Sequence, residues 1–296
     1  MFIEAIEAAT RFTRPMHTIS RHFGSTDVQP GAATLFFVND EGWALTCRHV
    51  AELILAADQI LERRAAFNRE RVSFSPSGKK KQELELERKY GFGKGTVLEV
   101  RNRFLGCVDG DLDVALILHP SLDVALIKFS NFEKLGATAY PLFAANGADL
   151  KQGKFLCRLG FPFPEFTNFR YDSTRDEIEW TEEGKAQSPQ FPIEGMVTRH
   201  LQDADGAVVG FELSTPGLRG QSGGPAFDAL GVVWGMQSAT NHLDLNFDVD
   251  MQVMRDGRKK QVHDNAILHV GHCVHVDVLK EFMKANNVKF AESAPA

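Results

Sequence analysis

The 296-residue sequence contains no run of about 18 apolar residues, which excludes a membrane-spanning helix. Cysteine is scarce: Cys47, Cys107, Cys157 and Cys273 stand far apart, without the close spacings of a disulfide scaffold or a zinc site. They read as free thiols of a reducing cytosol. Basic residues are too few for a nucleic-acid surface, with 33 Lys and Arg against 39 Asp and Glu and a net charge of -6. A signal peptide is missing as well, because Glu4 and Glu7 interrupt its apolar core and Arg11 and Arg14 follow too late. A cytoplasmic protein with no membrane contact is the expectation. "GFGKG" at 91–95 lacks the Lys-Ser/Thr ending of a phosphate cradle, and "DGDLD" at 109–113 lacks the ligand order of a calcium loop. Neither a metal nor an organic cofactor is therefore expected.

A hydrophobic content of 43% with 24% charged residues is ordinary for a folded chain, and the length exceeds the usual single core, so two packed units are expected. Short apolar or alternating runs bounded by turn residues predict many strands. They include "ATLFFV" (33–38) and "WALT" (43–46) around the turn "NDEG", then "TVLEV" from 96, "DVALIL" from 113 and "DVALIKF" from 123. Others are "KFLCRLGF" from 154, "AVVGFEL" from 207, "GVVWGMQS" from 231 and "AILHVGHCVHV" from 266. Helical spacing occurs in "FIEAIEAATRF", over roughly 48–71 and in "VDVLKEFMKANN". This is the pattern of an all-β protein with few helices. The tracts 164–190 and 240–264 read as surface loops or insertions, and "GKKKQ" at 78–82 as a solvated loop.

The most informative stretch is "GLRGQSGGPAFD" (217–228), in which Ser222 stands among Gly220, Gly223 and Gly224. Glycine is costly in ordered backbone unless the chain turns sharply or another group approaches closely. A serine hydroxyl becomes a nucleophile only when a base takes its proton and a carboxylate orients that base. His49, in "LTCRHVAE", follows a strand and opens a helix, where an imidazole can be held. Asp123 heads the apolar "DVALIKF", where an unpaired acid would be expensive and an Asp–His pair would resolve the cost. "LDVALI" occurs twice, so Asp113 is a rival acid, although its "VDGDL" context reads as a solvated turn. Cys47 reads as a small buried residue. His269, Cys273 and His275 share one strand face and are metal-ligand types, but no second cluster completes a zinc spacing.

The ordered set "TCRH" (46–49), "DVALI" (123–127) and "GQSGGP" (220–225) resembles the trypsin-like, chymotrypsin-fold serine peptidases. "GFP" at 160–162 and the closing "HVDVLKEFM" are similar to bacterial intracellular and envelope members. The resemblance implies two six-stranded β-barrels: residues 1–16 as an N-terminal helical segment, 17–135 as the first barrel and 136–296 as the second. One helix would follow the catalytic histidine and another would close the chain. It implies His49 as general base, Asp123 as its orienter, Ser222 as nucleophile, and the N–H groups of Gly220 and Ser222 as an oxyanion hole. Pro216 would form the base of the P1 pocket, with Ser238, Ala239 and Thr240 as its wall, favouring small or medium apolar residues. Gln221 stands where many zymogen-type members carry an aspartate, so cutting of the N-terminus is not expected to assemble the site. The expected partners are a protein or peptide substrate, cut at limited positions, and a regulatory protein. The competing readings are a silent peptide-binding barrel pair and an esterase using the same triad.

Overall fold

The computed structural model describes residues 2–72 and 79–294. Helix α1 (Ile3–Thr10) buries Ala5 and Ala9, and the Thr13 hydroxyl bonds back to the Ala9 carbonyl as the chain becomes strand. Strand β1 (Thr13–His22) pairs antiparallel with β2 (Val28–Phe37), and β2 with β3 (Trp43–Thr46). The "NDEG" turn joins the last two: Asn39 Oδ1 accepts from the Glu41 amide at 3.0 Å, and Gly42 takes φ +83°. Helices α2 (Arg48–Val72) and α3 (Lys79–Tyr90) follow, then β4 (Val97–Phe104). Residues 79–82 thus open a helix instead of a loop, while Gly78 lies outside the described residues. Its Lys, Glu, Leu and Arg content favours helix, and Leu86 anchors it beside Phe67, Phe92 and Leu98. Strand β5 (Val108–Asp109), β6 (Asp113–Leu118), β7 (Ala125–Ser130) and β8 (Lys134–Leu135) complete the first half. Its six-stranded sheet runs β4-β1-β2-β3-β7-β6, with β5 and β8 paired apart from it.

The second half contains β9 (Leu142–Phe143), β10 (Phe155–Gly160), the small pair β11 (Phe169–Asp172) and β12 (Glu177–Trp180), and β13 (Phe191–Gln202). Then come β14 (Val208–Leu213), β15 (Pro225–Phe227), β16 (Val232–Arg255), β17 (Arg258–His275), α4 (Val276–Ala285) and β18 (Ala291–Glu292). Its sheet runs β15-β10-β13-β14-β17-β16-β9-β18, and β15 also pairs with β16, so six strands return on themselves. The fold is mostly β, and one apolar core joins the two sheets, with Phe36 and Phe129 from the first and Phe143, Phe211 and Phe227 from the second.

Two tracts expected as surface loops or insertions contain paired strands. Residues 240–264 belong to a two-stranded ribbon closed by Asp256-Gly257, both at positive φ, the Asp-Gly signature of a tight hairpin. Within 164–190, β11 and β12 form a hairpin that buries Phe166 and Ile178 over β1.

Candidate active site

The geometry of "GQSGG" answers why the glycines are there. Gly220 sits at φ +98°, and a Cβ on it would lie 2.6 Å from the Phe161 carbonyl oxygen. Gly223 sits at φ +88°, where a Cβ would press into the Thr34 carbonyl and the Thr46 hydroxyl. The serine loop is therefore laid directly on the first sheet with no side chain between. Gly223→Ala is expected to cost about 2–4 kcal/mol, combining left-handed strain with a clash against backbone. A thermal melt of the variant measures it, and an unchanged Tm would refute this account.

Thr34 fastens that contact. Fully buried in β2, it donates its amide to the Ser222 carbonyl (3.0 Å) and its hydroxyl to the Gly220 carbonyl (2.8 Å). The same hydroxyl accepts from the Phe161 amide at 3.2 Å. Gln221 ties the loop from its other side, accepting from the Leu218 amide at 3.1 Å and donating to the Phe191 carbonyl at 3.0 Å. Among the described residues, the N–H groups of Gly220 and Ser222 donate to no backbone carbonyl outside regular helix and strand ladders. Two amides flanking a serine and left without an acceptor are what an oxyanion requires.

His49 is the second residue of α2, and Asp123 lies two residues before β7. β3 pairs with β7, which brings the start of α2 beside Asp123. His49 Nδ1 lies 2.9 Å from Asp123 Oδ2, and the His49 amide donates to Asp123 Oδ1 at 3.0 Å. The carboxylate therefore orients the ring and also satisfies a free N–H of the helix start. With a carboxylate accepting at Nδ1, the proton belongs on Nδ1, and Nε2 keeps its lone pair for base chemistry. Ser238 adds a third bond, its hydroxyl donating to Asp123 Oδ2, while its carbonyl accepts from Ser222 Oγ at 3.2 Å. Burial pushes the Asp123 carboxyl up, but the bonds from the His49 ring, the Ser238 hydroxyl and the His49 amide outweigh it and hold the pKa at about 2. The Ser222 hydroxyl donates to the Ser238 carbonyl and the Ser238 hydroxyl to Asp123, so Ser238 links the serine to the His49–Asp123 pair.

Of the two "LDVALI" copies, Asp123 is the one beside His49. Asp113 is exposed at the start of β6 and accepts from the Asn131 side chain. Cys47, His49 and Asp123 present ligand-type atoms within 4.8 Å of one another. Burial first, and Asp123 next, hold the Cys47 thiol well above its ordinary pKa. The Cys47 thiol donates to the Gln237 carbonyl at 3.3 Å, and Asp123 is engaged by the His49 ring, the His49 amide and the Ser238 hydroxyl, an arrangement that suits proton transfer. Among the described residues no other group of three ligand types converges: Cys273 is buried with Sγ toward Gln237, His275 caps α4, and His269 meets only His242, edge-on, along the ribbon. All four cysteines are free and buried.

The segments expected to form a pocket also meet. The Thr240 hydroxyl donates to the Gly217 carbonyl at 2.6 Å, joining the chain after Pro216 to the stretch 238–240. Three buried polar residues near the serine escaped the sequence reading. Thr34, Arg158 and Gln237 sit in strands whose apolar alternation they interrupt, and that interruption is the one signal that could have found them.

A family model described as a trypsin-like peptidase domain matches residues 33–236. A search of curated protein sequences finds no match. Among solved structures, the HtrA-type protease AlgW with a decapeptide is similar, with a TM-score of 0.51, 12% identity, and coverage of 96% of this chain and 67% of that chain. AlgW with a tripeptide gives 0.49 at 11% identity, covering 96% and 63%. The active form of the Rv3671c protease from M. tuberculosis gives 0.47 at 12%, covering 99% and 88%. This chain spans about two thirds of the length of the HtrA-type neighbours, between 63% and 67%. At these identities the first likeness supports the chymotrypsin-like fold and nothing finer.

Proposed function

This chain belongs to the trypsin-like peptidases, and on that premise we propose that it cuts peptide bonds through a Ser222–His49–Asp123 triad. The observation that carries the reading is the bidentate hold of Asp123 on His49, at the ring and at the amide, beside a serine with two unengaged flanking N–H groups. In this reading His49 Nε2 takes the Ser222 proton as Oγ attacks the scissile carbonyl. Gly220 and Ser222 receive the oxyanion, and the imidazolium then gives its proton to the leaving amine. A water, deprotonated by the same imidazole, cleaves the acyl-enzyme and restores Ser222. Asp123 keeps the imidazole in one tautomer and offsets its charge throughout.

The returning second sheet and the six strands of the first fit a pair of barrels, 17–135 and 136–296, with the site where they meet. The Gln221 amide is already bonded on both sides, which fits a serine loop that needs no new N-terminus to order it. Extended peptide is the proposed ligand class, in line with the peptides held by AlgW. Among the described residues no helix is long and apolar enough to cross a membrane. Four buried free thiols fit a reducing compartment, and the cytoplasm is proposed on that ground. The test is labelling with a fluorophosphonate and mapping of the modified residue. Covalent modification at Ser222 supports the reading, and none at that position refutes it.

A further inference from the structure

Arg158, in the middle of β10, is 0% exposed and has no acidic partner within ion-pair distance among the described residues. A guanidinium stripped of water is expensive, and proteins offset it with a carboxylate or phosphate. Here every acceptor is neutral. Nη2 donates to the Thr215 carbonyl (3.0 Å), the Thr215 hydroxyl (2.6 Å) and the Pro216 carbonyl (3.2 Å). Nη1 donates to Gln237 Oε1 at 2.6 Å, and Nε is buried with no partner at all. Gly271 leaves the room for this head group, since a Cβ there would run into Nη1. A full positive charge therefore lies directly beneath Thr215 and Pro216, the floor of the pocket beside Ser222.

Gln237 carries that charge toward the pocket. Arg158 offers only donors, so it fixes the amide with its oxygen inward and its NH2 outward. Nε2 then donates to the Ala239 carbonyl at 2.6 Å and lies against Gly217, between the two pocket walls. One of its two hydrogens is used there, and the side chain is buried between the two segments at 2% exposure. The Thr240 hydroxyl stands next to it, on the Gly217 carbonyl. A side chain entering between 216–217 and 238–240 meets the Gln237 amide, the Thr240 hydroxyl, which has to turn from the Gly217 carbonyl to donate to it, and, behind them, an unneutralised cation. A lysine or arginine would be repelled, whereas a carboxylate would supply the missing counter-charge.

We propose that Arg158, acting through Gln237, makes the pocket select an acidic P1 residue, aspartate or glutamate. This rests on the reading of Ser222 as nucleophile with 216–217 and 238–240 as its pocket. It replaces the apolar P1 expected from Pro216 and Thr240 alone, because that expectation had no buried charge to weigh. Arg158 is a positioning residue here, since Gln237 stands between its guanidinium and the carboxylate.

The experiment uses the whole chain and matched peptides that differ only at P1, with Glu against Gln and Asp against Asn. Each acid is expected to be cleaved about 10–100-fold better in kcat/KM than its amide, the range of a hydrogen bond made to a charged instead of a neutral group. Two variants separate selection from mere structural support. Arg158→Met removes the charge at similar volume, and Gln237→Glu places a carboxylate on the guanidinium from inside. Both are expected to bring the Glu/Gln ratio close to one, a readout that a purely structural role would leave untouched because it would slow both peptides alike. If Arg158→Met does not fold, the wild-type ratios and Gln237→Glu decide. Fluorophosphonate labelling runs alongside. Labelling at Ser222 with no preference for acid over amide overturns this inference and leaves the peptidase reading standing. Absence of labelling at Ser222, with no cleavage of any peptide, overturns both.

Discussion

Ser222→Ala is expected to lower peptide cleavage by about 10⁶-fold and to abolish fluorophosphonate labelling, while thermal stability stays nearly unchanged. The reasoning separates the hydroxyl from the backbone that carries it. Ser222 holds the fold through its carbonyl, which accepts from the Thr34 amide, and alanine keeps that bond. The side chain makes one hydrogen bond, to the Ser238 carbonyl, and its loss costs about 1 kcal/mol. Chemistry suffers far more, because in this reading Ser222 Oγ is the atom that attacks the scissile carbonyl. Residual cleavage near the wild-type rate, with a normal melt, would assign the nucleophile elsewhere.

For Asp123→Asn the expected loss is about 10⁴-fold in kcat, with Asp113→Asn close to wild type. An asparagine keeps the shape but can present an NH2 to Nδ1, which moves the ring proton to Nε2 and removes the base. It also weakens the bond that receives the His49 amide at the start of α2, so the variant should be less stable as well. That second effect has a sign in pH. The folded carboxyl titrates at about 2, below its ordinary value of 3.8, so its contribution is fully present above pH 4 and is lost as pH falls through 2. The stability gap between wild type and Asp123→Asn should therefore close between about pH 4 and pH 2. A gap that stays constant over that window would mean that the native carboxylate is not held by these bonds. If instead Asp113→Asn is the slow variant, the other copy of "LDVALI" supplies the acid.

His49, Asp123 and Ser222 were legible as candidates because each sits in a short motif whose residue types have a chemical reason to occur together. What the sequence hid has a common cause: polar groups inside the fold whose partners are distant along the chain. β1 escaped notice since Thr13, His17 and Arg21 are buried and break its apolar pattern. His17 stacks on Phe166 at 4.1 Å, and Arg21 approaches Glu99 at 3.6 Å. Pro15 also argues against a strand, yet it lies one residue short of the pairing with β4, where a missing N–H costs nothing. Arg158 reads as one polar residue in an apolar strand until the carbonyls of Thr215 and Pro216, nearly sixty residues on, are seen to receive it. The ribbon of β16 and β17 looks like a polar loop because both of its faces meet solvent over most of its length.

That ribbon differs from the rest of the sheet in its company. β14 pairs with β17 only from Gly271 to Val274, so among the described residues no third strand pairs with the two between Asn241 and Val270. An isolated pair of strands is marginally stable in water. Its amide protons are therefore governed by a small local opening energy, not by the cooperative melting of the core. In deuterium exchange, the amides bonded within 248–264 should exchange at least about 10²-fold faster than those of Phe211 and Cys273, on the same sheet. The molecule then behaves as two units of cooperativity: a body that opens only when everything opens, and an arm that comes apart and re-zips many times within the lifetime of the folded site.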